Sequence, residues 1–365
     1  MRAIIAGGGT GGHLFPAVAV GEELIRERPD TEVLFVGTSA GIEAKWLPKS
    51  GFKYELFAMH GIRGHGPVAR IRATLEFIRA TVLALSLLRR WPPDIIVSVG
   101  GYASASTAAA AVIARVPIVL MEQNTRPGLV NRTISRFARK VCIGFEDGVP
   151  HFDSTKVVVT GNPVRFEYRP DRSKTHGAQP QILVLGGSSG AHRLNLGVVG
   201  AFKISGKSVI KWKVVHQTGE ADEELVRKAY RDMSIAAEVV PFIDDIASAL
   251  NRADLVIARS GAMTVTDLAL AARASILVPY PFHKDMQQLH NARVLERIGG
   301  AIIVNDDENL APNLARELSA LIDDSNKLAA MGSLAHDAAK PNAARDIARI
   351  CFELAGVETN FHAAN

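Results

Sequence analysis

The sequence contains very little cysteine. Cys142 and Cys351 are the two cysteines among 365 residues, and they lie far apart without C-x-x-C spacing. This pattern excludes a disulfide framework and a cysteine zinc site, and it is typical of a protein in a reducing cytosol. Asp-x-Asp pairs are absent too, so a metal that holds a nucleotide diphosphate through paired carboxylates lacks its usual ligands. We therefore predict neither a metal nor a cofactor.

Long hydrophobic runs are also scarce. The apolar run at the N-terminus ends at Ala6, which is too short for the apolar region of a signal peptide. Residues 95–114 carry no charge and are long enough to span a bilayer, but Gly100-Gly101 interrupts them and several hydroxyl side chains make them polar. This segment therefore predicts a strand, a glycine turn and a helix, and no transmembrane helix is expected.

Acidic residues are sparse in two basic stretches. The formal net charge is only +5, which is small for a dedicated nucleic-acid binder. Residues 61–91, however, carry six arginines and one acid, Glu76, and residues 126–140 carry four arginines and a lysine without any acid. This clustering predicts a basic face in the N-terminal half, suited to anionic lipid, phosphate or nucleic acid.

The rest of the composition is that of an ordinary globular protein, with 47% hydrophobic and 22% charged residues. Its length predicts two domains, or three. Short β-branched runs alternate with helical patterns, which indicates parallel sheets covered by helices. The predicted strands are Arg2–Ala6, Glu32–Val36, Asp94–Val99, Ile118–Met121, Val141–Gly144, Val157–Thr160, Gln181–Leu185, Lys211–His216, Glu238–Pro241, Asp254–Ala258, Ser275–Val278 and Ala301–Val304.

Two glycine loops divide these strands into two similar series. Gly7–Gly12 follows the first strand and Gly186–Gly190 follows a later one, each before a helical pattern. We therefore predict an α/β fold of two Rossmann-like domains in tandem. The boundary is expected at Gly161-Asn162-Pro163, which gives domains at residues 1–163 and 164–341. A C-terminal helix at residues 342–356 is expected to pack back on the first domain.

A third glycine turn, Gly100–Ser104, follows another predicted strand. Three such turns favour an anion-binding site over packing alone, because glycines admit a phosphate and the next helix N-terminus offers free N–H groups. Gly7-x-Gly9-x-x-Gly12 also matches the dinucleotide fingerprint, but no acid follows the second strand to bind a ribose. NAD and FAD are therefore disfavoured.

Several polar residues follow strand ends. His13 comes directly after the first glycine loop, where a helix dipole lowers a histidine pKa and favours a neutral base; the alternative is that it only caps the helix. After the turn Arg259–Thr264, Asp267 either forms a capping box with Thr264 or accepts two hydroxyls of a ribose. His283–Gln288 has the polar density of a ligand rim or of an exposed helix start.

The segment from Arg70 to Arg90 carries the clearest partner signal. Its apolar residues recur at steps of four, three, four and three along one helical face. Such a face belongs to the core or to an interface. Because arginines surround it, it fits the surface of an anionic membrane, and a core helix is the alternative. The face is formed by Ile71, Leu75, Ile78, Val82 and Leu85.

Taken together, these motifs resemble the MurG family, the bacterial N-acetylglucosaminyltransferases that act on undecaprenyl-diphospho-muramoylpentapeptide. The resemblance runs in order from Gly7 to Gln288, and no single short pattern carries it. It departs from the family at Asp267, where the family usually has Glu, and at Ser189, where Gln or Leu is common. The matching stretches are GGGTGGHLFPAVAVGEEL, GIRGHG, GGYASAS, EQNTRPGLVNR, GNPVR, GGSSGA, FIDD, RSGAMTVTD and PYPFHKDMQQ.

The resemblance implies a GT-B fold, in which two Rossmann-like domains border a cleft. It implies inverting transfer of N-acetylglucosamine from UDP-N-acetylglucosamine to the muramoyl 4-hydroxyl of the lipid, in peptidoglycan synthesis. The C-terminal domain would hold the donor. The N-terminal domain would take the lipid-linked acceptor and face an anionic membrane through residues 70–90. The protein would thus be peripheral, at the cytoplasmic face of the bacterial cell membrane, and no nucleic-acid partner is expected.

Site residues follow from the same resemblance. His13 matches the histidine proposed as general base in the family. The implied donor contacts are Thr10, Gly11, Gly12, Asn124, Arg165, Ser188, Ile243, Ala262, Met263, Thr264, Val265, Thr266, Asp267 and Gln288. The implied acceptor side comprises Arg63, Gly64, Gly100, Gly101, Tyr102 and Ser104.

Other functions stay open at this point. Another GT-B glycolipid glycosyltransferase or a UDP-sugar epimerase would share the fold, although an epimerase needs no membrane face. An NAD-dependent oxidoreductase is disfavoured by the missing acid. A non-catalytic nucleotide-binding module would bind the UDP-sugar and show no turnover with a lipid acceptor.

Overall fold

The computed structural model describes residues 1–58, 67–165, 179–187, 190–283 and 285–358, without the side chains of residues 67–70 and of Tyr102. These residues form two compact units. The first unit contains Met1–Arg165 and the residues from Lys340 onward, and the second unit ends at Ala339. Each unit is built on its own parallel sheet, as expected for an α/β protein.

The first unit contains a seven-stranded parallel sheet. Its strands are β1 Arg2–Ala6, β2 Glu32–Thr38, β3 Lys53–Phe57, β4 Ile95–Ser98, β5 Ile118–Glu122, β6 Lys140–Ile143 and β7 Val157–Val159. They lie in the order β3-β2-β1-β4-β5-β6-β7. Because β1 pairs with both β2 and β4, the turns that follow these three strands leave the sheet at one edge.

Helices cover both faces of this sheet. They are α1 Gly11–Glu27, α2 Glu43–Trp46, α3 Pro67–Arg90, α4 Tyr102–Ala114 and α5 Leu129–Ile134. Neighbouring residues of β1 point to opposite sides, since Ile5 belongs to the core beneath α1 and Ile4 to the core beneath α3 and α4. Burial on both faces explains why the central strands are nearly continuous apolar runs.

The second unit contains a six-stranded parallel sheet, also covered by helices. Its strands are β8 Gln181–Leu185, β9 Lys213–Gln217, β10 Ala237–Val240, β11 Leu255–Ala258, β12 Ala274–Leu277 and β13 Ala301–Ile303, in the order β10-β9-β8-β11-β12-β13. Its helices are α6 His192–Ser205, α7 Lys207–Ile210, α8 Glu223–Asp232, α9 Ile246–Arg252, α10 Ala262–Leu270, α11 Gln287–Glu296, α12 Leu310–Ser319 and α13 Ser325–Asp337.

The chain then returns to the first unit through α14 Ala343–Leu354. Its apolar face packs on α1 and contributes Ile347 and Phe352 to the core of the first sheet. Cys142 and Cys351 lie in the same core as free thiols. Burial raises the pKa of Cys142 to about 12, so the thiol is protonated and unreactive at neutral pH.

Each predicted strand has a counterpart within a few residues of its predicted bounds, and β3 was missed. The sequence KYELF of β3 lacks the apolar run of the other strands. The reason is its place at the edge of the sheet, where Lys53 and Tyr54 are exposed to solvent. An edge strand that carries charge also resists pairing with another chain.

Helix α3 contacts the core through a side that the sequence did not single out. Ala80, Ala84, Leu87 and Leu88 are the buried residues of α3 in the core beneath α3 and α4. The predicted apolar face lies elsewhere, because Ile71, Leu75, Ile78 and Val82 are each more than half exposed. A core role for these four residues is therefore wrong, while Leu85 is half-buried. Within the described ranges, no helix is both long and apolar enough to cross a bilayer.

Candidate active site

Two glycine turns of the first unit touch each other at the edge of the sheet. Because β1 and β4 are neighbours, the turns Gly7–Gly12 and Gly100–Ser104 leave the sheet side by side. A Cβ on Gly7 would lie only 2.5 Å from the carbonyl oxygen of Gly100. The φ angles of Gly7 and Gly100 are +138° and +98°, which disfavour any other residue. The contact between the turns therefore depends on glycine at both positions.

His13 lies in the first turn of α1, beside the Gly100 turn. Its Nδ1 is hydrogen-bonded to Thr10 Oγ1 at 3.1 Å, and a Cβ on Gly100 would lie 3.3 Å from its Nε2. Burial lowers the pKa of His13, and the Glu43 carboxylate raises it by a smaller amount. The imidazole is therefore neutral at pH 7 and can accept a proton. Thr10, not His13, is the N-cap residue of α1.

Glu43 is a buried carboxylate that sequence reasoning missed. It accepts hydrogen bonds from the N–H of Gly9 at 2.7 Å, from the N–H of Thr38 at 2.9 Å and from the Thr38 hydroxyl at 2.8 Å. These bonds fix the first glycine turn to the end of β2, close to His13. The space that its side chain fills is left by three glycines, which were the available signal in the sequence. They are Gly8, Gly37 and Gly41.

The Gly100 turn is shaped by Ser104, one of the implied acceptor contacts. The Ser104 side chain is fully buried and accepts a hydrogen bond from the N–H of Gly100 at 3.2 Å. It is also hydrogen-bonded to the Ser98 hydroxyl. Gly101 is the half-buried N-cap residue of α4, and Tyr102 begins that helix. Ser104 thus supports the turn from inside, where Gly100 is also buried, and Gly101 is the more exposed of the two glycines.

A second buried carboxylate, Glu122, organises the loop after β5. It accepts hydrogen bonds from the backbone N–H and the amide of Asn124 at 2.9 and 3.2 Å, from the N–H of Gly128 at 3.3 Å and from the amide of Asn131 at 2.9 Å. Burial raises the pKa of Glu122, and these donors lower it. A Cβ on Gly100 would lie 3.3 Å from Asn131 Oδ1, so this loop meets the Gly100 turn. Sequence reasoning found Asn124 and missed Glu122 and Asn131.

The other implied contacts of the first unit lie around the start of α1 and at the end of the unit. Thr10 and Gly12 are exposed, and Gly11 is half-buried. The Arg165 guanidinium pairs with the Glu22 carboxylate at 3.2 Å and lies over the Trp46 ring, 5.0 Å from its centroid. Arg165 is therefore engaged with α1 and α2 of its own unit. Arg63 and Gly64 lie outside the described residues.

In the second unit, the turns after β11 and β12 come together at Gln288. The Ser260 hydroxyl donates to the carbonyl of Gln288 at 2.8 Å, and the N–H of Tyr280 donates to Gln288 Oε1 at 2.9 Å. Gln288 lies in the first turn of α11. The structure thus brings together the turn that begins with Arg259, the turn around Tyr280 and Gln288, the last residue of the predicted polar segment. Lys284 of that segment lies outside the described residues.

Arg259 holds these turns in place. Its guanidinium donates to the carbonyls of Val278 and Pro279 at 3.0 and 3.4 Å, and it pairs with the buried Asp306 carboxylate at 2.7 Å. The second oxygen of Asp306 pairs with Arg193 at 2.7 Å. Sequence reasoning noted the positive charge of Arg259, and only the fold reveals Asp306 as its partner.

Helix α10 begins at Ala262, with Gly261 as its N-cap residue. The predicted capping box of Thr264 and Asp267 is therefore wrong, because both residues lie inside the helix. Their side chains are half-buried, as is that of Met263, whereas Ala262, Val265 and Thr266 are buried. The first turn of α10 has backbone N–H groups without intrahelical partners, which suit an anion.

The first loop of the second unit is described in part. The Gln217 amide donates to the carbonyl of Gly187 at 2.9 Å, which fixes the loop to β9. Ile243 lies half-buried between β10 and α9. Ser188 and Ser189 lie outside the described residues. Sequence reasoning missed a buried network behind this loop, in which Asn195 contacts His216 at 3.1 Å and Asp222 at 2.7 Å.

Comparison with known proteins assigns the class. Residues 3–143 match the Glycosyltransferase family 28 N-terminal domain, and residues 181–348 match the Glycosyltransferase family 28 C-terminal domain. Two parallel α/β sheets, with glycine turns and helix N-termini at their edges, agree with this assignment. The fold and the site therefore define a family 28 glycosyltransferase.

Relatives narrow the assignment. The chain is 38% identical to the UDP-N-acetylglucosamine–N-acetylmuramyl-(pentapeptide) pyrophosphoryl-undecaprenol N-acetylglucosamine transferase of Anaeromyxobacter dehalogenans (strain 2CP-1), over 97% of this chain and 93% of the relative. It is 39% identical to the transferase of the same name from Geobacter sulfurreducens, over 95% of this chain and 97% of that one. The chain belongs to the MurG family, which comprises these transferases.

Solved structures agree with the predicted fold class. MurG of Acinetobacter baumannii matches with a TM-score of 0.80 and 28% identity, over 96% of this chain and 99% of that chain. A UDP-GlcNAc 2-epimerase from Neisseria meningitidis, bound to UDP-GlcNAc, matches with a TM-score of 0.69 and 13% identity, over 97% of this chain and 100% of that one. At 13% identity the second likeness shows the fold alone.

Proposed function

We propose that this protein transfers N-acetylglucosamine from UDP-N-acetylglucosamine to the muramoyl 4-hydroxyl of undecaprenyl-diphospho-muramoylpentapeptide, with inversion at the anomeric carbon. The names of its relatives support this donor and this acceptor. The observation that carries the proposal is the place of His13, which is neutral, half-buried and adjacent to the Gly100 turn. A base in that position can activate a hydroxyl of an acceptor bound at the turn.

The two units divide the substrates in this proposal. The first unit, Met1–Arg165 with the C-terminal helix α14, takes the acceptor, and the second unit, which ends at Ala339, takes the donor. In the second unit, the N-terminus of α10 faces the diphosphate, and Asp267, one turn further on, accepts the ribose hydroxyls. Gln288 joins two turns at the same sheet edge, and these hydrogen bonds support a role for it in binding the nucleotide.

Three events make up the proposed transfer. His13 Nε2 takes the proton of the muramoyl 4-hydroxyl, while Nδ1 stays hydrogen-bonded to Thr10 Oγ1. The hydroxyl oxygen forms a bond to the anomeric carbon, and the bond from that carbon to the UDP oxygen breaks. Charge on the departing diphosphate is stabilised by helix N-terminal N–H groups, which are fixed before the reaction begins. Arg165 adds positive charge in this scheme once it leaves Glu22.

The membrane is part of the proposal as well. The exposed side of α3, with Ile71, Leu75, Ile78 and Val82, is apolar, and Arg72 and Arg79 lie on the same helix. An apolar stripe with arginines beside it binds the interface of an anionic bilayer. We place the protein at the cytoplasmic face of the bacterial cell membrane as a peripheral enzyme, where it meets its lipid acceptor.

One assay tests the reaction and separates the alternatives. The protein is incubated with sugar-labelled UDP-N-acetylglucosamine and vesicles that contain the muramoylpentapeptide lipid. We expect the label to enter the lipid with release of one UDP for each sugar transferred. Formation of a 2-epimer of the donor without acceptor would indicate an epimerase instead. Donor binding without either product would indicate a non-catalytic module.

The membrane claim has its own test. Replacing Leu75 and Ile78 with Glu should abolish most co-sedimentation with anionic vesicles, because the change removes apolar burial and adds repulsion. The matched control is the pair Ile204→Glu and Ile210→Glu, which are exposed apolar residues of the second unit. Both double variants are checked for folding by circular dichroism. Equal vesicle binding by the two would show that α3 does not bind the membrane.

A further inference from the structure

A cavity of about 480 Å³ opens between α3, α4 and α5 of the first unit. One face of α4 forms a wall of small residues at helical spacing, with Ala105, Ala108, Ala109 and Val112. Of the residues that line the cavity, Thr133 is the polar one, and its hydroxyl donates to the carbonyl of Leu129 at 3.0 Å. The cavity has the volume of a small-molecule site, ~300–1,000 Å³, and its lining is almost entirely apolar.

This cavity is open to the surface. Leu129 on its rim is 80% exposed, and Ile113 and Phe137 are more than half exposed. Together they form a contiguous apolar patch of a kind that marks a binding site on a soluble domain. The floor of the cavity belongs to the core, with Ala108 and Ile134. The exposed rim residues lie outside the core and leave a space that an apolar ligand can fill.

One end of the cavity lies next to the Gly100 turn. Ser104, which shapes that turn, is followed directly by Ala105 in the cavity wall. The wall then runs along α4 to Val112, a distance of about 10 Å at 1.5 Å per residue. A ligand that enters from the turn would thus place its polar end at the candidate active site and its apolar part along α4.

Positive charge lies on and next to α5, the helix that forms one wall of the groove. Arg132 neighbours Thr133 on α5, and Arg126 precedes that helix. Burial lowers the pKa of His151, and the charges of Arg126 and Arg132 lower it further, which places all three groups near one another. Arg136 neighbours Phe137 of the rim. An apolar groove with cationic groups beside it complements a hydrocarbon chain that ends in a diphosphate.

We infer that this groove binds the first isoprene units of the acceptor, those next to its diphosphate. The inference rests on the proposed function and adds to it a site for one chain. That site is distinct from the exposed stripe of α3, which would lie on the bilayer surface. A bound chain would hold the acceptor in register with His13, since the groove and the histidine border the same glycine turn.

The test compares acceptors that share the muramoylpentapeptide diphosphate and differ in their lipid. One carries a methyl group and the other a ten-carbon isoprenoid, both in solution without vesicles. We expect the wild-type KM for the isoprenoid acceptor to be lower by at least about tenfold, as burial of several carbons predicts. Ala109→Leu, which fills the half-buried wall of the groove, should bring the ratio of the two KM values close to one. Ala105→Leu is a second variant with the same expectation.

The control is Ala114→Leu, an exposed position on α4 that does not line the groove. It should keep the wild-type ratio. A wild-type ratio near one, or an unchanged ratio in the folded Ala109→Leu and Ala105→Leu variants, would overturn the inference. An effect of the groove variants seen only with vesicles would also overturn it, because the groove would then hold a membrane acyl chain. Failure of the proposed function is distinguishable, since the wild type would then transfer sugar to neither acceptor.

Discussion

The two units hold their glycine-rich turns with opposite charges. In the first unit, the buried carboxylates of Glu43 and Glu122 accept hydrogen bonds from backbone and amide N–H groups and a hydroxyl. In the second unit, the buried guanidinium of Arg259 donates to two carbonyls and pairs with Asp306. Both arrangements satisfy the polar groups of tight turns, but the first uses acidic acceptors and the second a basic donor.

That difference fits the two halves of the proposed reaction. A carboxylate near His13 raises the affinity of the imidazole for a proton, which partly offsets the loss caused by burial. A base that takes a proton from a hydroxyl benefits from this offset. In the second unit, an anionic diphosphate benefits from positive charge and helix N-termini nearby. The carboxylate of the first unit thus suits the proposed proton transfer, and the basic group of the second unit suits the proposed leaving group.

The largest effect is expected at His13, the proposed general base of the first unit. His13→Ala should lower kcat by roughly 10²–10⁴, or about 3–5 kcal/mol of barrier, while UDP binding changes little. His13→Gln should be equally slow, because an amide hydrogen-bonds but does not take the proton. The wild-type rate should fall with acid below pH 6.5, since only the neutral imidazole acts and its pKa is lowered. Single-turnover rates at saturating donor between pH 5.5 and 9 measure the variant rates and the acid limb. A near-normal rate of the His13→Gln variant would exclude His13 as the base.

Removing Arg259 should destabilise the second unit and loosen the turns that this residue holds. Arg259→Met leaves the buried Asp306 with Arg193 alone, and the free energy of unfolding should fall by about 3–5 kcal/mol. Donor KM should rise as the turns around Ser260 and Tyr280 loosen. Urea unfolding of this variant and of Arg193→Met, whose side chain is half exposed, provides the comparison. If the two variants lose the same stability, the burial of Arg259 has no special importance.

Glu43→Gln tests the role of the buried carboxylate in the first unit. We expect a loss of about 1–3 kcal/mol in the free energy of unfolding, because a charged acceptor of three hydrogen bonds is removed. The acid limb of the pH–rate profile should move to lower pH, since Glu43 raises the pKa of His13 in the native protein. Glu146→Gln, at an exposed carboxylate, is the control. A limb that stays in place or moves to higher pH would contradict the coupling of the two groups.

The smallest effect is expected at Asp267. Asp267→Asn should raise the KM for UDP-N-acetylglucosamine by about tenfold, because an amide accepts two ribose hydroxyls less well than a carboxylate. The melting temperature should change little, since α10 begins at Ala262 and does not use Asp267 as a cap. Thermal melts with and without donor measure both quantities. Normal donor stabilisation of the variant would leave Asp267 without a role in binding.

Most of the fold could be predicted from local sequence. Parallel strands buried on both faces are apolar runs, so their number and order along the chain are visible without coordinates. The exposed edge strand β3 lacks that signal and was missed. The apolar stripe of α3 was found by its spacing, but spacing does not show which side of a helix is buried. Ala80 and Ala84, which are small and uninformative in the sequence, form the buried side.

Site residues that stand in glycine-rich or polar turns after strands could be predicted from the sequence. Residues whose role depends on their burial could not. His13, Gly100 and Gln288 stand in conspicuous motifs directly after strands. Glu43, Glu122 and Asp306 look like ordinary surface acids in the sequence, since nothing local marks them as buried.

The sequence by itself determined the two parallel sheets, the family and the turns that carry chemistry, because these depend on residue type and on short-range spacing. Only the tertiary structure decided which turns meet, which acids lie beneath them and where the apolar groove of α4 opens. The physical reason is that burial and charge pairing depend on segments far apart in the chain, such as Arg259 with Asp306. Desolvation then sets the proton affinity of groups such as His13, which no local pattern encodes.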